Sequence, residues 1–136
     1  MPDIHTRAAN ILKSGYMEGL PQGHFIDGKL TTTSQNRTLE SFDPGSGKAF
    51  ASFATGDEHD IDQAGASSRQ AFETVWRNTP PVERGRILAR ASALILPEID
   101  QLAIAECLDS GKPLEEALGD VRGAARDFEY YAGACD

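Results

Sequence analysis

Hydrophobic positions change their spacing twice along this chain, and the two changes divide it into three stretches. Ile4, Ala8, Ile11 and Leu12 recur at helical intervals, and Gly15, Gly19, Pro21 and Gly23 interrupt any continuation of that helix. Residues 1–22 therefore read as an N-terminal arm or short helix lying on another surface. From residue 23 the pattern is strand-like. Phe25-Ile26 and Leu30-Thr31-Thr32 flank Asp27-Gly28, a dipeptide suited to the two positive-φ positions of a tight hairpin. Arg37 to Phe42 and Ala49 to Ala54 alternate around Asp43-Pro44-Gly45-Ser46-Gly47, a turn cluster. A β-meander over residues 23–56 accounts for these segments.

From residue 57 to 136 the period is helical. Asp57 is placed to cap a helix running to about Arg77, with Ile61, Ala64, Ser68, Phe72, Val75 and Trp76 along one face. Pro80-Pro81 breaks it and opens a second helix bearing Val82, Leu88, Ala91 and Ile95, broadened by Ile87 and Leu94. Pro97 ends or kinks that helix and starts a third, which runs to about Ser110. A fourth begins at Pro113 with Leu114, Leu118, Val121, Ala125, Phe128 and Tyr131 on one side. Gly119 and Gly123 weaken it locally and point to close packing against a neighbour. Strands followed by four helices do not form a βαβ series, so no parallel cofactor-binding sheet can be built from these residues alone.

Charge narrows the classes of partner. The 136 residues carry 13 basic and 21 acidic side chains, a net charge of −8, which opposes nucleic acid and anionic membranes. No run is apolar for long enough to span a bilayer, and Met1-Pro2-Asp3-Ile4-His5 lacks the regions of a signal peptide. Two cysteines, Cys107 and Cys135, make no secreted framework. The expectation is a cytoplasmic protein, in which the Asn36-Arg37-Thr38 glycosylation pattern is fortuitous.

Candidate chemistry centres on the stretch from Glu106 to Val121. Gly111 can close one helix in the left-handed conformation, Pro113 suits the first turn of the next, and Glu115 and Glu116 meet its positive end. Asp109 does not fit this pattern. It lies in the last turn of the preceding helix, where the macrodipole disfavours an anion unless a cation or a donor answers it.

Several other motifs invite a test. Gly45-Ser46-Gly47-Lys48 lacks the upstream glycine and the following Ser/Thr of a phosphate loop, since Phe42 and Ala49 stand there. No Gly-x-Gly-x-x-Gly opens a helix, so there is no dinucleotide fingerprint. His5, His24 and His59 have no metal-ligand spacing. Arg84, Arg86 and Arg90 read as a solvated or ion-paired face. Cys107 lies among Glu106, Leu108 and Asp109, where anions raise a thiol pKa, which favours a structural thiol.

Leu108-Asp109-Ser110-Gly111-Lys112-Pro113-Leu114, followed by Glu116-Ala117 and Gly119-Asp120-Val121, resembles a segment near the N-terminus of the aldehyde dehydrogenase superfamily. Phe25-Ile26-Asp27-Gly28, Asp43-Pro44-Gly45-Ser46-Gly47-Lys48 and Phe128-Glu129-Tyr130-Tyr131-Ala132-Gly133 match it in the same order and spacing. The resemblance covers about Phe25 to the C-terminus and only the opening portion of the family. It implies an α/β fold with a Rossmann-type cofactor domain, of which residues 23–136 form an incomplete N-terminal part.

For the whole enzyme the resemblance implies NAD or NADP, a small aldehyde oxidised to a carboxylate through a cysteine thiolate, and a homo-oligomer. Neither cysteine here matches the family's catalytic one. No catalytic or cofactor-binding residue is assigned, and the isolated chain is expected to be inactive. The partner would be the remainder of the dehydrogenase polypeptide or subunit. The family also often holds Na+ or K+ at this helix end. Carried over by position, its ligands are the carbonyls of Ser41 and Phe42 and the carboxylate or carbonyl of Asp109, with a further ligand beyond Asp136. Unpaired helix-end carbonyls beside an anion suit a hard cation on physical grounds as well. The alternative is that Lys112 or an arginine neutralises Asp109. A reading from another class is a truncated, non-catalytic helical interaction module.

Overall fold

A computed structural model describes residues 3–33, 35 and 37–135. Asn36, and with it the glycosylation pattern, lies outside the described residues, as do Met1, Pro2 and Asp136. The element order is α1 (Ile4–Ser14), β1 (His24–Ile26), β2 (Lys29–Thr31), β3 (Thr38–Phe42), β4 (Ala49–Ala54), α2 (Glu58–Thr74), α3 (Pro81–Ile95), α4 (Ile99–Ser110) and α5 (Leu114–Gly133). Short 3-10 turns at Trp76–Asn78 and Leu96–Glu98 join α2 to α3 and α3 to α4.

The strands form two separate antiparallel hairpins, β1 with β2 and β3 with β4, and not one meander. Local turn chemistry forms each hairpin. Asp27 and Gly28 both take positive φ (53° and 71°), as a two-residue loop between right-twisted strands requires. Pairing β2 to β3 would need a contact between hairpins, which neither turn encodes. A backbone bond from Ala54 N to Gln22 O (3.0 Å) ties β4 to the segment before β1.

In β4 the register skips a residue: Ser41 pairs with Ala51 and Phe42 with Ala49, leaving Phe50 as a bulge. The Phe50 side chain is buried, and its carbonyl accepts from Met17 N at 2.7 Å. Phe50, Ala51, Met17, Ile104 and Leu108 make one core cluster, with Ile4, Ala8 and Ile11 of α1 packed over it. An ion pair from Arg7 to Asp100 (3.1 Å) holds α1 on α4. Ala103, Ala117 and Leu118 form a second cluster between α4 and α5. The core therefore lies where β4, α1, α4 and α5 meet.

Helix α2 starts as its sequence dictates. The Asp57 carboxylate accepts from Asp60 N (3.1 Å) and Asp60 Oδ2 accepts from Asp57 N (3.0 Å), a reciprocal cap. It ends earlier than its pattern suggests, at Thr74. There Arg84 of α3 donates to Trp76 O and Thr79 O (both 3.1 Å) and sets its guanidinium 5.3 Å from the Trp76 ring centroid. Arg84 is thus a pin between α2 and α3, and Arg86 pairs with Glu83. The apolar stripe of α2 is not buried by this chain: Ile61, Phe72 and Val75 are exposed. Phe128 and Tyr131, on the predicted face of α5, are also exposed and line an apolar groove with Leu88.

Gly119 and Gly123 overturn one expectation. A Cβ at either position would meet nothing within 4 Å, so the close approach between α4 and α5 falls on Ala117 instead. With space free and helical φ, Gly119→Ala and Gly123→Ala should each stabilise the chain by roughly 0.5–1 kcal/mol, through helix propensity and a less flexible unfolded state. Urea melts of the two variants would test this. Destabilisation would mean that the space around one of these positions is not open as the structure has it.

Candidate functional site

Two loop segments dock at the C-terminal end of α4. The first is the turn after β3. The Asp43 carboxylate accepts from Gly45 N (3.0 Å) and Ser46 N (2.9 Å), while Asp43 O accepts from Gly47 N (2.8 Å) and Lys48 N–H lies near Ser46 Oγ (3.4 Å). The hydrogen bonds from Ser46 and then Gly45 hold the Asp43 carboxyl below its ordinary range, because they favour the charged form. The amides of Gly45, Ser46 and Gly47 are thereby turned onto Asp43, which makes this glycine-rich loop a self-closed turn and no phosphate cradle.

The second segment is the corner between α4 and α5. Gly111 takes φ 74° and donates from N to Cys107 O at 2.9 Å, closing α4. Pro44 lies against it: a Cβ on residue 111 would stand 2.7 Å from Pro44 Cγ. Lys112 crosses the corner, with Nζ 2.6 Å from Glu106 of α4 and 2.7 Å from Asp120 of α5. Those two carboxylates push the Lys112 ammonium pKa well up, Asp120 first and Glu106 second.

Of the residues singled out by sequence, Ser41 and Asp109 are brought into direct contact. Ser41 Oγ donates to Asp109 Oδ1 at 2.7 Å, linking β3 to the last turn of α4. Phe42 follows Ser41 at the bulge and is half exposed (54 %), so its carbonyl's place in the site rests on backbone position. The cationic neutraliser expected as an alternative is not found: Lys112 is engaged elsewhere, and among the described residues no ion pair reaches Asp109. Sequence reasoning chose Ser41 for its carbonyl and missed its hydroxyl. It also missed the Lys112 clamp, whose signal was an i, i+6 and i, i+8 pairing across a corner.

The remaining candidates stand apart. Cys107 is half-buried, and burial first and the Asp43 charge second raise its thiol pKa. The anion responsible is therefore Asp43 and not the neighbouring Glu106 or Asp109. A thiol held protonated in this way is a poor nucleophile. Cys135 Sγ donates to Tyr131 O (3.2 Å) within α5's last turn. His5 approaches Glu115 (3.5 Å) and His59 contacts Gln63 (2.9 Å), on separate elements. Among the described residues no three His, Cys, Asp or Glu side chains gather as a metal group.

The two docked loops are the same segments whose motifs matched in sequence, and wider comparison agrees. A profile of the aldehyde dehydrogenase family matches residues 31–136. The chain belongs to the aldehyde dehydrogenase family. An aldehyde dehydrogenase from Aspergillus niger is 38 % identical over 116 residues, covering 85 % of this chain and 23 % of that protein. Aldehyde dehydrogenase [NAD(P)+] 1 of Saccharomyces cerevisiae is 37 % identical over 117 residues, with the same coverage of 85 % and 23 %. Among solved structures, HpcC from Thermus thermophilus superposes with a TM-score of 0.84 at 31 % identity, covering 95 % of this chain and 24 % of that one. The chain thus spans about a quarter of the length of these aldehyde dehydrogenases (23–24 %) and corresponds to the family's N-terminal portion. Its β-hairpins and helices are part of that family's α/β fold.

Proposed function

We propose that this chain is the N-terminal part of an NAD(P)+-dependent oxidoreductase that converts a small aldehyde to a carboxylate, and that its own task is structural. The observation that carries this reading is the docked corner, where Pro44 seats on Gly111 and Ser41 bonds Asp109, each drawn from a family-matching motif or the strand beside it. The residues present do not fit a dinucleotide: the glycine-rich turn has spent its amides on Asp43, and it joins two strands with no helix N-terminus behind it. No catalytic or cofactor-binding role is given to any residue here. The thiolate that attacks the aldehyde and the groups that receive hydride would belong to the remainder of the polypeptide or subunit. Residues 1–22 serve as an arm, and residues 23–136 as the opening of the cofactor-binding domain.

The same reading includes a monovalent cation at the corner: Na+ or K+ takes oxygen ligands, the Ser41 hydroxyl meets the Asp109 carboxylate there at 2.7 Å, and the carbonyls of Ser41 and Phe42 are carried over by position from the family. The charge of such an ion would offset an anion placed at the negative end of α4. The reading extends to a cytoplasmic homo-oligomer without nucleic-acid or membrane partners. Of these, the net charge of −8 supports only the lack of nucleic-acid and anionic-membrane partners.

The test is a cofactor-reduction assay on two samples. The purified 136-residue chain should form no NAD(P)H from any aldehyde. The native protein isolated through this sequence should do so, with a mass well above 14.7 kDa. Turnover by the short chain would overturn the structural role. An inactive native protein of 14.7 kDa would overturn the dehydrogenase and leave an interaction module.

A further inference from the structure

Between the two hairpins lies a cleft of about 270 Å³. Arg37 is its cationic side, Thr33, Thr38 and Ser52 line it with hydroxyl-bearing side chains, and Leu30 and Ala54 give it an apolar wall. Backbone bonds hold the frame: Ala54 N donates to Gln22 O (3.0 Å), and Thr55 N donates to Arg37 O (2.8 Å). Arg37 is exposed, and among the described residues no carboxylate ion-pairs with its guanidinium. Thr33 is 6 % exposed, and its hydroxyl is buried with no hydrogen-bond partner. A hydroxyl buried in that state keeps its full desolvation cost. The cleft thus joins an uncommitted planar cation to an unsatisfied hydroxyl on its wall.

We propose that this cleft binds a small aliphatic monocarboxylate. The Arg37 guanidinium takes the carboxylate through its planar fork, and Leu30 and Ala54 cover the short carbon chain. Thr33 supplies a hydroxyl donor after a staggered turn about χ1 brings it round to the ligand. Charge and size decide the class. One arginine balances one negative charge, and among the described residues no lysine or helix N-terminus lines the cleft to hold a phosphate dianion. A net charge of −8 also disfavours multiply charged anions. The volume lies just below the range of about 300–1,000 Å³ for drug-sized ligands, which suits an acid of a few carbons. Glu40 stands across from Ser52 in the β3–β4 register, on the same face of the hairpin, and its charge opposes the ligand. The site draws on neither the reaction nor the cation assigned above.

Every residue of the cleft lies in the 136-residue chain, so that chain is the sample. Two-dimensional amide NMR with sodium butyrate, at ionic strength held constant with sodium chloride, should show saturable shifts centred on Thr33, Arg37 and Ser52. Arg37→Gln, a change at an exposed position, should weaken binding by roughly tenfold or more, through loss of a charge-assisted contact. Thr33→Val keeps the shape and removes the orphan hydroxyl. It should weaken binding and yet raise the thermal midpoint of the ligand-free chain. Glu40→Gln should tighten binding. Shifts that do not saturate, or that chloride alone reproduces, would overturn the site, as would unchanged affinity in Arg37→Gln. Tighter binding of inorganic phosphate than of butyrate would overturn the monocarboxylate. A lower midpoint in ligand-free Thr33→Val would show that the hydroxyl is already satisfied and would strike it from the site.

Discussion

Replacing Ile104 with alanine should destabilise this chain by about 2–5 kcal/mol, the range for deleting a large aliphatic side chain whose surroundings cannot collapse into the gap. Ile104 has no exposed surface, and it is the largest side chain among those buried to that degree. It lies on α4 against Met17, Phe50 and Leu108, which come from the arm, the bulge of β4 and the next turn of α4. Three separately anchored neighbours leave little freedom to repack. The expected signature is a lower urea midpoint at unchanged slope, since the surface exposed on unfolding hardly changes. A comparison is built in. Leu94→Ala removes a side chain of similar size that is 73 % exposed, and it should cost a small fraction as much. Equal losses at the two positions would show that the core is not where the structure puts it.

A second large effect is expected at the corner. Gly111→Ala meets two penalties at once: φ of 74°, and a Cβ 2.7 Å from Pro44 Cγ. The left-handed conformation costs a β-carbon-bearing residue about 1–2 kcal/mol. The contact adds roughly 1–3 kcal/mol as overpacking between two turns held by backbone hydrogen bonds. Gly47→Ala separates the terms, because Gly47 has φ 68° and nothing within 4 Å of its Cβ. Chemical denaturation of both variants should place Gly111→Ala well below Gly47→Ala. Adding Pro44→Ala to Gly111→Ala should recover the difference but not the backbone strain. If the two glycine variants lose the same stability, the Pro44 contact carries no weight and the two motifs are merely adjacent.

Features governed by a few consecutive residues were legible in the sequence. Asp57, Asp27-Gly28, Pro81 and Gly111 each set a helix end or a turn through local sterics and hydrogen bonds, and each stands where the pattern put it; Asp60, which completes the Asp57 cap, was seen only in the structure. What the pattern could not give was partnership between distant segments. Alternation in β2 and β3 predicts two strands but does not say whether they pair with each other. They do not: each pairs only within its own hairpin. The stripe on α2 is real as a pattern, yet a stripe states that something apolar is wanted and not what supplies it. Ile61 and Val75 remain uncovered by these residues. Gly119 and Gly123 misled for the opposite reason: a glycine marks permission for close approach, and here that permission is unused.

The site shows the same division. Asp109 stood out because its charge conflicts with its place on the helix, a local conflict visible without a structure. The contact with Ser41 joins residues 68 apart in sequence, and the family resemblance, not periodicity, pointed to both. Once folded, the two can be seen to depend on a third residue. Phe50 occupies the bulge, and sliding β4 by one residue along β3 would turn its side chain out of the core and break the acceptance of Met17 N–H by its carbonyl. The hairpin therefore has one setting. Oil-like burial indexes the strand, as a tooth fixes a gear, and the polar meeting of Ser41 with Asp109 inherits an accuracy that its own exposed hydrogen bond could never enforce.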